Sequence, residues 1–206
     1  MNKRSESVKI LIVGGTGTIG KFVAEKLKSN HEVIIASKSN GDYLVDITSP
    51  DRIEQMYKDI PNIDAVISTT GASHFGQLSD LTPELNDIAI NSKLKGQVNL
   101  VLIGQHYIND SGSFTLTTGI MMDDPILRGS SAAMANGAVA SFVKSAAIEL
   151  NRNIRINTVS PNVLEESLEK YEVFFKGFNP VSANKVANAF VKSVEGAQTG
   201  QVYKVY

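Results

Sequence analysis

Val8-Lys9-Ile10-Leu11-Ile12-Val13-Gly14-Gly15-Thr16-Gly17-Thr18-Ile19-Gly20 carries the strongest signal in this 206-residue chain. The β-branched run from Val8 to Val13 ends in glycines, the pattern of a strand buried on both faces. Glycine recurs at 14, 17 and 20. Helical spacing follows, with Phe22, Val23 and Leu27 on one face and Lys21, Glu25 and Lys28 on the other. A tight strand-to-helix turn needs a residue tolerant of unusual φ, a pyrophosphate needs the backbone close, and the helix must pack near the strand. Free N–H groups and the dipole at the helix start favour phosphates. Gly14, Thr16, Gly17, Thr18 and Ile19 are therefore expected to hold a dinucleotide, with the threonines as extra hydroxyl donors.

Apolar runs and helical stretches alternate from there to Tyr206. Glu32–Ala36, Tyr43–Asp46, Ile63–Ser68, Ser113–Thr117, Ile154–Val159 and Gln201–Tyr206 read as strands. Helices are expected after a Ser49 cap, from Thr82-Pro83-Glu84 towards Ile108, over Ser131–Leu150 and over Ala183–Val194. Such alternation implies an α/β fold with a doubly wound parallel sheet, the Rossmann arrangement, in a single domain over residues 1–206. Ligands then sit past the carboxyl ends of the strands, where strand order reverses.

Composition excludes several classes. Lys+Arg is 20 and Asp+Glu is 21, so the formal net charge of -1 recruits neither nucleic acid nor an anionic membrane. Without cysteine there is no thiol nucleophile, thiolate metal site or redox pair. The three histidines, His31, His74 and His106, lack ligand spacing, so no metal is expected. Met1–Ser7 is polar, and the apolar run behind it is too short for a signal peptide or membrane span. A cytoplasmic location is expected.

The strand ends carry the candidate contacts. Strand two ends in Ala36-Ser37-Lys38-Ser39. NAD would call for an acidic residue here to bond the ribose 2′-hydroxyl. Ser37, Lys38 and Ser39 offer two hydroxyls and a cation instead, which suits the 2′-phosphate of NADP(H); the other reading of Lys38 is a solvated loop lysine. Asp46-Ile47 is placed to meet an adenine edge, unless Asp46 merely caps the Thr48–Asp51 turn.

These positions together resemble the short-chain dehydrogenase/reductase family over nearly the whole chain. Thr69-Thr70-Gly71-Ala72 resembles the family's Asn-Asn-Ala-Gly beside the cofactor, which implies cofactor contacts at Thr70, Gly71 and Ala72. Thr117-Thr118 stands where the family has Ser-Ser. Ile156 to Val163 resembles the stretch ending in Pro-Gly whose backbone meets the nicotinamide amide, implying contacts at Pro161 and Val163. Asn162 replaces the glycine and is expected to keep a left-handed turn, which Asn tolerates better than most residues.

Two departures touch the chemistry. The family carries a Tyr and a Lys four residues apart on the helix after strand five. Aligning Ala147-Ile148-Glu149-Leu150 with that helix's end puts Ala132 and Asn136 in their places, so the usual proton donor is absent. The family's Asn on the preceding helix stands three residues before a Gly, and counting back from Gly96 gives Lys93. Lys and Asn have exchanged helices, which keeps one cation and one amide for the same cavity. Burial there would lower the Lys93 pKa and let it donate a proton; the alternative is a solvated lysine like Lys95.

Thr118, Lys93 and Asn136 are thus the catalytic candidates, with the Thr118 hydroxyl bonding a carbonyl oxygen. His74 is a further possible donor or a surface residue, and Met121 and Met122 are pocket wall or core filling. Leu168, Tyr171, Phe174, Phe175 and Phe178, within Leu164 to Pro180, form a lid over an apolar substrate or pack on the core. The expected function is an NADP(H)-dependent oxidoreductase acting on a small carbonyl or alcohol; the competing one is a silent NADP(H)-binding regulator or scaffold. The resemblance also implies a homodimer or homotetramer through the Thr82–Ile108 and Ala132–Ala147 helices.

Overall fold

A computed structural model describes residues 7–206, so Met1–Glu6 of the expected polar tail lies outside the described residues. The strands are β1 (Lys9–Val13), β2 (Glu32–Ser37), β3 (Tyr43–Leu44), β4 (Ala65–Ser68), β5 (Ser113–Thr117), β6 (Arg155–Pro161) and β7 (Val202–Val205). All pair in parallel, in the order β3-β2-β1-β4-β5-β6-β7. The chain leaves β1 in one direction and returns to β4 on its other side. That reversal opens a crevice at the carboxyl ends of β1 and β4.

Both faces of the sheet are covered, which is why β1 is a continuous apolar run rather than an alternating one. Ile10 and Ile12 bury against α1 (Thr18–Lys28) and α7 (Ala183–Glu195) through Val23, Leu27, Val186 and Phe190. Leu11 and Val13 bury against α2 (Pro50–Asp59), through Ile53 and Met56, and against the helices that line the site. Helix starts follow local chemistry. Ser49 Oγ accepts the Arg52 N–H at 3.4 Å with Pro50 in the first turn, Thr82 caps α3 (Pro83–Ile88) the same way, and Ser182 caps α7.

The expected long helix from Thr82 is interrupted. After α3 the chain runs as a π-helix over Ala89–Gly96 and returns to α geometry in α4 (Gln97–Gly104). Gly96 lets this stretch press onto Ile47, since an added Cβ would come within 2.6 Å of Ile47 Cδ1. The helix stops at Gly104, short of Ile108. Opposite it lies α5 (Ser130–Glu149), and α6 (Leu168–Tyr171) is a single turn in the segment after β6. Among the described residues, no helix is long and apolar enough to cross a membrane, and no group of three metal-binding side chains gathers.

Candidate active site

The glycines of the first turn do different work. Gly14 has φ +89, and an added Cβ would lie 2.9 Å from the Thr69 carbonyl. At Gly20 a Cβ would lie 2.6 Å from Gly15 Cα and 2.8 Å from Thr69 Oγ1. Both therefore serve the chain's own packing between β1, α1 and the end of β4. Gly17 is different. Its φ of -76 suits any residue, and its Cβ would meet only Gly14 O, at 3.4 Å. It is the N-cap of α1, with no side-chain cap and no acidic residue in the first turn. The first amides of α1 thus face outward over a bare Cα, where an anion is favoured. Thr16 is half-buried and Thr18 exposed at this edge, while Ile19 packs on the Ile10/Ile12 core.

Beyond β2 the expected 2′-phosphate contacts are partly engaged already. Ser37 is buried; its hydroxyl accepts the Asn40 N–H at 3.1 Å and donates to the Asn40 carbonyl, closing the 37–40 loop. Lys38 Nζ lies 2.8 Å from Asp46 Oδ2, and Ser39 is exposed. Asp46 also accepts the Thr48 N–H at 3.0 Å and the Thr48 hydroxyl at 2.8 Å. The Lys38 ammonium first, then these two bonds, hold its carboxyl down at about 2. The Ile47 side chain is in the core under Gly96.

A cavity of about 580 Å³ opens beside the turn, and Thr118, Lys93 and Asn136 all line it. Gly71, Ala72, Pro161 and Val163 lie on the same wall, whereas Thr70 sits beside Gly14 and outside it. Lys93 projects from the π-helix. Gly71, at φ +128, is pressed against it, an added Cβ falling 2.9 Å from Lys93 Cα, and the Ala72 N–H donates to Ser92 Oγ at 2.9 Å. Among the described residues no carboxylate pairs with Lys93. Burial alone pushes its ammonium down to about 8.

Asn136 is buried on α5, one turn after Ala132, and both reach the cavity. Its Oδ1 has no hydrogen-bond partner. Gly119 leaves room for the amide, since a Cβ there would sit 3.1 Å from Asn136 Nδ2. Thr118 is buried at the end of β5. Its hydroxyl donates to Val159 O at 3.3 Å, and its own N–H donates to the same oxygen at 2.9 Å. Val159 O therefore stays satisfied if the hydroxyl turns towards a ligand.

Asn162 corrects one expectation. It is not among the residues with left-handed backbone. It continues the pairing of β6, its N–H donating to Val205 O at 2.9 Å. Its side chain replaces the turn: Oδ1 accepts the Val163 N–H at 2.7 Å, and Nδ2 donates to Asn179 O at 2.8 Å. The amide thereby tethers the segment after β6 to the sheet and occupies the N–H that the family resemblance offers to a carboxamide.

That segment forms one wall. Tyr171, Phe174 and Phe175 line the cavity, with Tyr171 and Phe174 5.9 and 6.2 Å from the Phe75 ring across the mouth. Leu168 and Phe178 pack behind on Ile120, Val163 and Phe175. Met121 lines the cavity, but Met122 and His74 do not. Sequence reasoning missed Phe75, Lys170 and Gln97. Gln97 carried a signal, an amide close before the apolar Leu100 to Ile103 run, and it is fully buried.

Comparison with known proteins shows the family and the fold. The family described as Enoyl-(Acyl carrier protein) reductase matches residues 18–202. Protein lin1944 from Listeria innocua has a solved structure 60% identical in sequence, with a TM-score of 0.96, covering 97% of this chain and 100% of that one. A small-chain dehydrogenase solved in complex with NADPH is 24% identical with a TM-score of 0.86, covering 97% of this chain and 96% of that one; at this identity the likeness is of fold. Versicolorin reductase from Emericella nidulans is 23% identical over 155 residues, 70% of this chain, which spans 59% of that protein's length.

Proposed function

This chain belongs to the short-chain dehydrogenase/reductase family, and we propose that it is an NADP(H)-dependent oxidoreductase moving hydride between the nicotinamide and a small carbonyl or alcohol. The observation that carries this is the convergence of Lys93, Asn136 and Thr118 on one cavity. The residues fit the cofactor. The amides of α1 at Gly17–Ile19 would hold the pyrophosphate, and Lys38 with Ser39 would meet the 2′-phosphate once Lys38 leaves Asp46. That release frees Asp46 for the adenine. Pro161 and Val163 would flank the nicotinamide. The solved relative with NADPH supports the choice of cofactor.

When bound, the cofactor supplies the hydride, and the protein orients and protonates. Thr118 donates a hydrogen bond to the substrate oxygen. Lys93, unpaired and shifted towards neutrality, delivers the proton to that oxygen. Asn136 accepts, through its unpartnered Oδ1, a hydroxyl donor from the cofactor or substrate. Ala132 leaves the space of the family's tyrosine open, so no phenol stands between Lys93 and the reacting oxygen.

The same Ala132, with the Val163 N–H already occupied by Asn162, favours a second reading: an NADP(H)-binding regulator without turnover. Stopped-flow oxidation of NADPH with a panel of aldehydes and ketones separates the two. A reductase consumes NADPH, and the Lys93→Ala and Thr118→Ala variants slow it. A regulator binds NADPH and consumes none. The chain is further proposed to form a homodimer or homotetramer through the outer faces of α4 and α5, where Leu102 and Met134 are exposed. Light scattering that finds only monomer excludes this.

A further inference from the structure

The charges on the cavity wall are all of one sign. Half-buried Lys93 and exposed Lys170 both line it, and among the described residues no aspartate or glutamate does. Neither lysine is in an ion pair among the described residues. Lys170 is held in place, its ammonium 5.0 Å over the Tyr171 ring. The acidic residues of the same segment point elsewhere. Glu166 caps α7 through the Ala183 N–H at 2.9 Å, while Glu165, Glu169 and Glu172 are exposed and outside the cavity. The same cavity is lined by the aromatic rings of Phe75, Tyr171, Phe174 and Phe175.

Lys93 is half-buried with no counter-ion beside it, so part of its hydration is lost, and a bound anion offsets that loss. Aromatic side chains lining the same cavity as the two lysines select a flat apolar body. Resting on the oxidoreductase reading above, we infer that the cavity takes an anionic substrate: a carbonyl compound with a carboxylate on an aromatic-sized apolar body, recognised by Lys93 and Lys170. Neutral carbonyl compounds of the same size enter but lack this attraction. The other titratable groups on the wall are Lys170 and Tyr171; Asn136, Ala132 and Thr118, facing Lys93 from α5 and β5, do not titrate.

Binding tests this without turnover. Benzoate, phenylacetate and 2-naphthoate, each beside its neutral amide, are titrated by calorimetry into the protein saturated with NADPH. At least one carboxylate is expected to bind about tenfold or more tighter than its amide, the scale of a charge-assisted hydrogen bond. That advantage fades as pH rises through about 8, where Lys93 deprotonates. It narrows in Lys170→Gln, and it is lost in Lys93→Met but retained in Lys93→Arg. Circular dichroism and NADPH affinity confirm that each variant is folded. Equal binding of acids and amides, tighter binding of the amides, or no binding of any carboxylate at millimolar concentration overturns the inference. A protein that favours carboxylates yet oxidises no NADPH keeps the subsite and loses the reductase. One that reduces neutral aldehydes while showing no acid preference keeps the reductase and loses the subsite.

Discussion

Gln97 pairs with Thr117 as a neighbouring strand would. The Thr117 N–H donates to Gln97 Oε1 at 2.9 Å, and Gln97 Nε2 donates to Thr117 O at 2.9 Å. The β4 partner ends its pairing two residues earlier, at Ile67 with Thr115, so the side chain takes over where the strand stops. The same Nε2 donates to Lys93 O at 3.0 Å. One buried amide therefore binds the π-helix that presents Lys93 to the strand end that presents Thr118.

Replacing Gln97 by Leu leaves the Thr117 N–H and C=O buried without partners. Each orphaned group costs about 1–3 kcal/mol, so a loss of roughly 2–6 kcal/mol is expected in urea unfolding. Gln97→Glu retains an acceptor for the Thr117 N–H and should lose less. In both variants kcat should fall more than KM rises, because Lys93 and Thr118 lose their mutual placement. Unchanged stability in Gln97→Leu would mean that water replaces the amide at no cost.

Lys93 sets a pH dependence whose sign follows from its depressed pKa. Folding lowers it from the ordinary lysine value of 10.5 to about 8. Below pH 8 the ammonium is charged in both states, and the folded protein bears the full desolvation cost. Between about 8 and 10.5 the folded state sheds its proton first, so that cost is relieved as pH rises. Activity runs the other way, because a proton donor must be protonated. kcat/KM for reduction should fall above pH 8, and Lys93→Met should abolish that limb along with most of the rate. A limb that persists in Lys93→Met assigns the proton to another group.

The Lys38–Asp46 pair is exposed and carries little stability, since surface ion pairs contribute about 0–1 kcal/mol. Its importance is for cofactor choice. Lys38→Gln should weaken NADPH several-fold while leaving NADH within about twofold, read as two dissociation constants by fluorescence titration. Tm should not change. Equal weakening of both cofactors would place Lys38 on the adenosine rather than on its 2′-phosphate.

Local pattern sufficed for the sheet, because a strand buried on both faces and a helix with one apolar face write different periods into the chain. Ser113–Thr117 was legible to the residue. That Lys93 and Asn136 reach one cavity was legible too, as both sit at fixed distances from recognisable helix landmarks. What escaped depends on partners far away in sequence. The apolar residues after Gln97 mark it for burial but do not announce a bond to a strand twenty residues on, and nothing near Gly96 announces Ile47 beneath it. The Lys38–Asp46 pairing escapes for the same reason: Lys38 reads as a phosphate contact or a solvated lysine and Asp46 as an adenine contact or a turn cap, and of these the bonds from Thr48 to Asp46 are present. Asn162 was expected to tolerate a left-handed turn, but its side chain makes the turn bond itself, at 2.7 Å.

Gly17 offers the sharpest separation of folding from binding. Gly17→Ala meets only Gly14 O, at 3.4 Å, with a φ that alanine adopts freely, so stability should change by less than about 1 kcal/mol. Gly20→Ala drives a Cβ to 2.6 Å from the Gly15 backbone and should cost about 2 kcal/mol or more. If the amides of α1 receive the pyrophosphate, a methyl group at 17 stands in its path. Gly17→Ala should then lose NADPH affinity by roughly tenfold or more while melting with the unaltered protein, because the added methyl holds the phosphates away from the amides. Retained affinity in Gly17→Ala would move the phosphates off this turn, and the bare Cα would need another explanation.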